Sequence, residues 1–75
     1  MKEIVEIIAK SIVSNPAEVH VDEERNGTTV TLKLHVAPED MGKVIGKQGR
    51  IAKAIRVVLK AAATRENVKV IVDIG

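Results

Sequence analysis

Eight consecutive residues, Val44-Ile45-Gly46-Lys47-Gln48-Gly49-Arg50-Ile51, carry the most specific chemistry in this chain. Two glycines bracket a Lys-Gln pair, with aliphatic segments on both sides. Such a stretch stops one helix, exposes a short run of backbone amides and starts another helix at once. Glycine permits close backbone approach and left-handed φ values. The N-terminus of the second helix directs free N–H groups and a partial positive charge at the same spot. Lys47 and Arg50 add full positive charges. The pattern predicts a phosphate cradle and points to a nucleic-acid backbone as its ligand. A plain helix-to-helix connector does not need two glycines around a lysine with cations following.

The charge distribution supports that reading. Formal net charge is only +2. The segment from Lys43 to Lys60, however, carries Lys43, Lys47, Arg50, Lys53, Arg56 and Lys60 with no acid among them, while acids gather near Glu18 to Glu24. This asymmetry predicts a polyanion on one side of the molecule. Lys53 and Arg50 lie closest to the glycine loop; Arg56 and Lys60 read as an ordinary solvated helix face.

Other chemistries find little support. The chain has no cysteine, which excludes disulfides, thiolate metal sites and cysteine catalysis, and makes a cytoplasmic home the expectation for so small a domain. No metal cluster, cofactor motif or nucleophile-base pair is legible, so neither a cofactor nor an enzyme activity is expected. His20 and His35 fall on the predicted solvent side of strands and read as surface residues. Gly42, Gly46 and Lys47 do not make a nucleotide-binding P-loop: three residues separate the glycines where four are required, Gln48 replaces Ser or Thr, and a helix precedes the loop. The N-terminus lacks the apolar core of a signal peptide, and no apolar run approaches membrane-spanning length, so no membrane insertion is expected.

The elements that must position the loop follow from periodicity. Seventy-five residues predict one domain, residues 1–75, whose core must be Val, Ile, Leu and Ala because Phe, Tyr and Trp are all absent. Lys2 to Ser14 predicts a helix burying Ile4, Val5, Ile8, Ser11 and Ile12, ended by Asn15-Pro16. Glu18 to Arg25 and Thr28 to Val36 alternate with period two around Asn26-Gly27, predicting a hairpin with a type I′ turn in which both turn residues have positive φ. Pro38 opens a short helix, with Glu39 and Asp40 in its first turn, that runs to Ile45. A second helix from about Gly49 is predicted to bury Ile51, Ile55, Val58, Leu59 and Ala62, with Lys53, Arg56, Lys60 and Thr64 opposite. Val57 and Ala61 lie at the border, as the edge of the core or part of a dimer patch. Val68 to Ile74 alternates as a last strand. The fold class is α+β. The order is helix-strand-strand-helix-helix-strand, with a three-stranded mixed sheet, helices packed on one face, and Thr29, Thr31, Lys33, Lys69 and Asp73 on the other.

Val44-Ile45-Gly46-Lys47-Gln48-Gly49, followed by Ile51 and Ile55, resembles the core signature of the KH domain, and the element order is similar to the prokaryotic, type II arrangement. The block from Lys43 to Ala63 resembles the small single-KH bacterial RNA-binding proteins of the KhpA type, and the resemblance covers the whole chain. It implies a groove holding about four nucleotides of single-stranded RNA. One wall would be the short helix, the loop and the start of the next helix; the other would be a strand of the sheet. Carried over by position, Gly46, Lys47, Gln48 and Gly49 form the loop, Ile45 and Ile51 bound an apolar floor, and Lys43, Arg50 and Lys53 attract phosphates. It further implies a homodimer, a heterodimer with a larger KH-containing RNA-binding protein, and a role as RNA chaperone or post-transcriptional regulator. The alternative is a protein-protein adaptor that docks to another KH protein, with RNA binding incidental. The missing aromatics favour a KH groove over RRM and OB folds, which stack bases on aromatic rings.

Overall fold

The computed structural model describes residues 1–74. Helix α1 spans Lys2–Ile12, strand β1 His20–Asn26, strand β2 Thr29–His35, helix α2 Met41–Ile45, helix α3 Arg50–Arg65 and strand β3 Lys69–Ile74. Short 3-10 turns at Pro16–Glu18, Pro38–Asp40 and Lys47–Gly49 join them. The predicted α+β architecture and element order are those observed. The sheet runs β1-β2-β3, antiparallel between β1 and β2 and parallel between β2 and β3. β1 and β3 are therefore the two edges.

One face of the sheet is covered. Val21, Val30, Leu32, Leu34 and Val72 turn inward to meet Val5 and Ala9 of α1, Val44 of α2, and Ile55 and Leu59 of α3. Each large aliphatic side chain buried there contributes about 2 kcal/mol, and no single aromatic residue dominates. His20, Asp22, Lys33, Asp73 and Ile71 lie on the uncovered face. There His20 Nε2 sits 2.8 Å and His35 Nε2 3.4 Å from the Asp22 carboxylate. These contacts, led by the His20 hydrogen bond, hold the Asp22 carboxyl below the usual carboxylate range.

Several local expectations are corrected. α1 ends at Ile12, and its buried residues are Val5 and Ala9. Ser11 is exposed and donates its hydroxyl to the carbonyls of Ile7 and Ile8, a back-bond that keeps it out of the core. Ile12 is 37% exposed because the helix stops before that turn reaches the sheet. β1 begins at His20 because Pro16–Glu18 is a 3-10 turn. The hairpin turn is centred one residue later than expected: Asn26 pairs with Thr29, leaving Gly27-Thr28 as the two-residue loop. Gly27 has φ +63, while Asn26 does not enter the left-handed region. Glycine at the first central position is the type II′ arrangement, and it needs one positive φ where type I′ needs two. On α3, the buried residues are Ala52, Ile55, Leu59 and Ala63. Ile51 and Val58 are instead 37% and 46% exposed. Small alanines at both ends let α3 lie close to the sheet, which turns the bulkier residues toward its flank.

Asp40 ties the short α2 to the rest. Its side chain is buried, and it accepts the backbone N–H of Ser14 at 3.0 Å and of Asn15 at 3.0 Å. Lys43 Nζ stands 3.5 Å away and also donates to the Ser14 hydroxyl. The Ser14 N–H, followed by the Asn15 N–H and Lys43, holds the Asp40 carboxyl below the usual range against a burial that pushes it up. A folded-state pKa that is depressed contributes stability above the unfolded value, and that contribution is lost as pH falls through the folded one. The melting temperature is therefore expected to fall below about pH 4. Asp40→Asn should lower the melting temperature by several degrees at neutral pH and flatten that acid limb. Thermal melts of both proteins from neutral to acid pH check it, and an unchanged acid limb in Asp40→Asn contradicts it.

Candidate nucleic-acid interface

The loop takes the form its residue types require. α2 ends as the Gly46 N–H bonds the Gly42 carbonyl at 2.9 Å. Gly46 then adopts φ +76 and ψ 173, a region essentially closed to any other residue. Space closes it too: a Cβ at Gly46 would fall 2.9 Å from the Ile51 Cβ and closer still to its Cγ1. Ile51, the first apolar residue of α3, is seated against the Gly46 backbone. Gln48 and Gly49 follow at φ +57 and +73, and the chain enters α3 at Arg50. Gly49 faces open space, so its requirement is conformational alone.

This path leaves donors exposed. The Gly49 N–H bonds the Gly46 carbonyl, whereas among the described residues the N–H groups of Lys47 and Gln48 donate to no backbone carbonyl. They lie immediately before the N-terminus of a helix 16 residues long. Free amides in a left-handed turn beside a helix dipole make an anion-binding concavity. The Lys47, Arg50 and Lys53 side chains are all exposed around it. Arg50 Nη2 reaches the Gln48 side-chain oxygen at 3.3 Å, which orients both groups at the loop.

The second wall is β3. It runs back along α3 with its far edge unpaired, because β2 occupies the other side. The Lys69 N–H bonds the Thr28 carbonyl, so alternation turns the backbone groups of Val70 and Val72 outward. Arg56 Nε donates to the Val72 carbonyl at 3.3 Å, which closes α3 onto this edge. A groove of about 560 Å³ lies between α3 and β3, with Arg56, Lys60 and Lys69 on its rim and Ala63, Val68 and Val70 among its lining. The acids Asp22, Glu23 and Glu24 sit on β1, the opposite edge of the sheet. The charge asymmetry of the sequence is thus an asymmetry in space.

The structure brings Gly46, Lys47, Gln48, Gly49, Arg50 and Lys53 together at the N-terminal end of α3, the helix whose later residues, from Arg56 on, line this groove. Ile45 and Ile51, each 37% exposed, flank the loop. Lys43 is placed differently: its ammonium is engaged by Asp40 and Ser14 on the side toward α1. Arg56 and Lys60 are exposed, as expected of a solvated face, and both also line the groove. Their spacing from Lys53, three and seven residues along the helix, was the available signal. His35 lies on the central strand β2 and does not edge the groove.

The two glycines are expected to differ in cost. Gly49→Ala carries only the left-handed strain, about 1 kcal/mol. Gly46→Ala adds displacement of Ile51 and a forbidden ψ, about 2–4 kcal/mol in all. Urea denaturation of the two variants measures the difference, and equal losses contradict the Ile51 seat.

Comparison with known proteins bears on the same residues. Residues 2–74 match the family model described as KhpA/KhpB, KH domain. The chain is 66% identical over 99% of both chains to a protein named RNA-binding protein KhpA from Clostridium perfringens. It is 62% identical, again over 99% of both chains, to the protein of that name from Clostridium acetobutylicum. A third, from Chlamydia trachomatis, is 47% identical over 99% of this chain and 95% of its own length. No solved structure matches. With its glycine turn between α2 and α3 and its β1-β2-β3 sheet, the chain belongs to the KhpA/KhpB KH domain family.

Proposed function

We propose that this chain binds single-stranded RNA, holding about four nucleotides between the Gly46-Lys47-Gln48-Gly49 loop and the free edge of β3. The observation that carries the reading is the pair of amides at Lys47 and Gln48 that donate to no backbone carbonyl, next to the exposed Arg50 and Lys53 at the start of α3. The relatives' names, which specify RNA binding, support it. Phosphates sit against the loop amides and cations. Bases lie toward aliphatic side chains, and the outward amide and carbonyl groups of β3 meet their edges. Ile45 and Ile51 bound the apolar side of the loop, and Lys43 contributes charge from farther off. Catalysis is no part of this reading, and it needs no cofactor or metal.

One such groove binds weakly, because it gathers few contacts. Affinity rises when two grooves are linked, through effective concentration. The face of α3 away from the groove supplies a means. Val57 is 67% and Val58 46% exposed there. We propose that this apolar face pairs two copies of the chain, and that a larger KH-containing protein is an alternative occupant. No helix is long and apolar enough to cross a membrane. The proposed setting is the cytoplasm, and the proposed role is that of an RNA chaperone or post-transcriptional regulator.

Labelled single-stranded RNA tests the groove directly. Lys47→Asp/Gln48→Asp is expected to reduce affinity at least tenfold while circular dichroism shows the same melt as the parent. Parent binding should weaken steeply with salt. Equal binding by both proteins overturns the reading in favour of an adaptor that docks to protein. Sedimentation velocity tests the apolar face: a dimer mass at micromolar concentration is expected, and a monomer mass throughout contradicts the pairing.

A further inference from the structure

α2 acts as a short lever. It is five residues long, and the chain covers about 9 Å from Asp40 at its base to Gly46 at its tip. A tilt at the base is therefore carried to the glycine loop. The tip meets Ile51, and Val44 is buried midway. The base is held by a charge and its hydrogen bonds.

Asp40 is the only buried charged side chain among the described residues. A carboxylate stays ionised in such a place only when it is paired and hydrogen-bonded. Both its oxygens are engaged: Oδ1 accepts the Ser14 N–H and Oδ2 the Asn15 N–H, each at 3.0 Å, and Lys43 Nζ lies 3.5 Å from Oδ1. The Asn15 side-chain amide adds a second tie, donating to the Glu39 carboxylate at 2.9 Å. Lys43 sits one turn along α2 from Asp40, and its ammonium also donates to the Ser14 hydroxyl. Held there, that ammonium is turned to the chain leaving α1 and not to the glycine loop.

Resting on the RNA-binding reading above, we infer that Asp40 and Lys43 are positioning residues for RNA: they clamp the base of α2 to Ser14-Asn15, and the clamp sets where the Lys47 and Gln48 amides point. Lys43 acts through Asp40 and not through a phosphate contact. RNA affinity is thereby coupled to a segment, Ser14-Asn15, that does not line the groove.

Asp40→Asn, Lys43→Gln and the two combined test the clamp, with Lys53→Gln and Val21→Ala for comparison. Each is titrated with labelled single-stranded RNA at several salt concentrations, at a temperature where circular dichroism shows it folded. Asp40→Asn and Lys43→Gln are each expected to weaken binding about three- to tenfold at an unchanged salt slope, because neither removes a phosphate contact. Lys53→Gln should instead lower the slope by about 0.7. Val21→Ala, in the core on β1, should lose stability and keep its affinity. In the Asp40→Asn background, Lys43→Gln should weaken binding little further. Amide NMR of the RNA-free Asp40→Asn and Lys43→Gln proteins should show the Lys47, Gln48 and Gly49 resonances moved. Should Asp40→Asn not fold, Lys43→Gln carries the same test, since that side chain is half-exposed. Parental affinity in the folded clamp variants, unmoved loop amides, a slope lowered by Lys43→Gln, or an equal loss of affinity in Val21→Ala overturns the clamp. If Lys47→Asp/Gln48→Asp still loses binding in that case, the RNA reading stands. If the parent itself binds no RNA, both readings fail together.

Discussion

The seat of Ile51 against the bare backbone of Gly46 is the contact on which the rest of the site depends. It lets the chain leave α2 and start α3 after only four residues, and it sets the angle between the two helices. Any side chain at Gly46 would push Ile51 away, move the start of α3 and turn the Lys47 and Gln48 amides from the groove. Gln48 holds a left-handed conformation without being glycine, a strain of about 1 kcal/mol that the flanking helices must maintain. Asp40 holds the other end of α2 by gripping the chain just after α1. A helix of five residues has too little hydrogen bonding to stand alone. It keeps its place because one end is seated on Ile51, the other is tied by Asp40, and Val44 is buried between them.

Much of this was legible in the residues. Period-two alternation gave both hairpin strands, the last strand and the face each would bury. The paired glycines around Lys47 marked the turn, and their types alone predicted free amides at a helix start. The errors on α3 share a physical cause, which is that this helix is apolar on more than one face. Ile51, Val57 and Val58 are as hydrophobic as Ile55 and Leu59, so periodicity could not say which would meet the sheet. The choice fell to Ala52 and Ala63, whose small size permits close packing and which carry a weak hydrophobic signal. With α3 rotated accordingly, Arg56 and Lys60 stay exposed but border the groove beside β3. Asp40 and the engagement of Lys43 were invisible for another reason: Asp40 and the Ser14-Asn15 amides lie 25 and 26 residues apart in the chain, and nothing local signals the pairing.

One helix thus serves three surfaces. Its buried stripe anchors it to the sheet, its basic flank lines the groove, and its remaining apolar face is exposed. The absence of aromatic residues shapes how such a groove meets nucleic acid. Stacking platforms are unavailable, so base contact falls to aliphatic side chains and to the unpaired edge of β3. Those contacts are individually small, so under the proposed pairing a second copy would compensate by adding more of them. The acids Asp22, Glu23 and Glu24 of β1 lie on the far edge of the sheet, where in the proposed mode they would disfavour a polyanion.

The central claim is that the Lys47 and Gln48 amides receive a phosphate. Backbone amide NMR of the isotopically labelled protein, titrated with a short single-stranded RNA, observes those two groups directly. The account predicts the largest shifts at the N–H resonances of Lys47, Gln48 and Gly49, with smaller ones along the β3 edge and none on β1. Shifts confined to the uncovered sheet face or to the apolar flank of α3, with Lys47 and Gln48 unmoved, would contradict it.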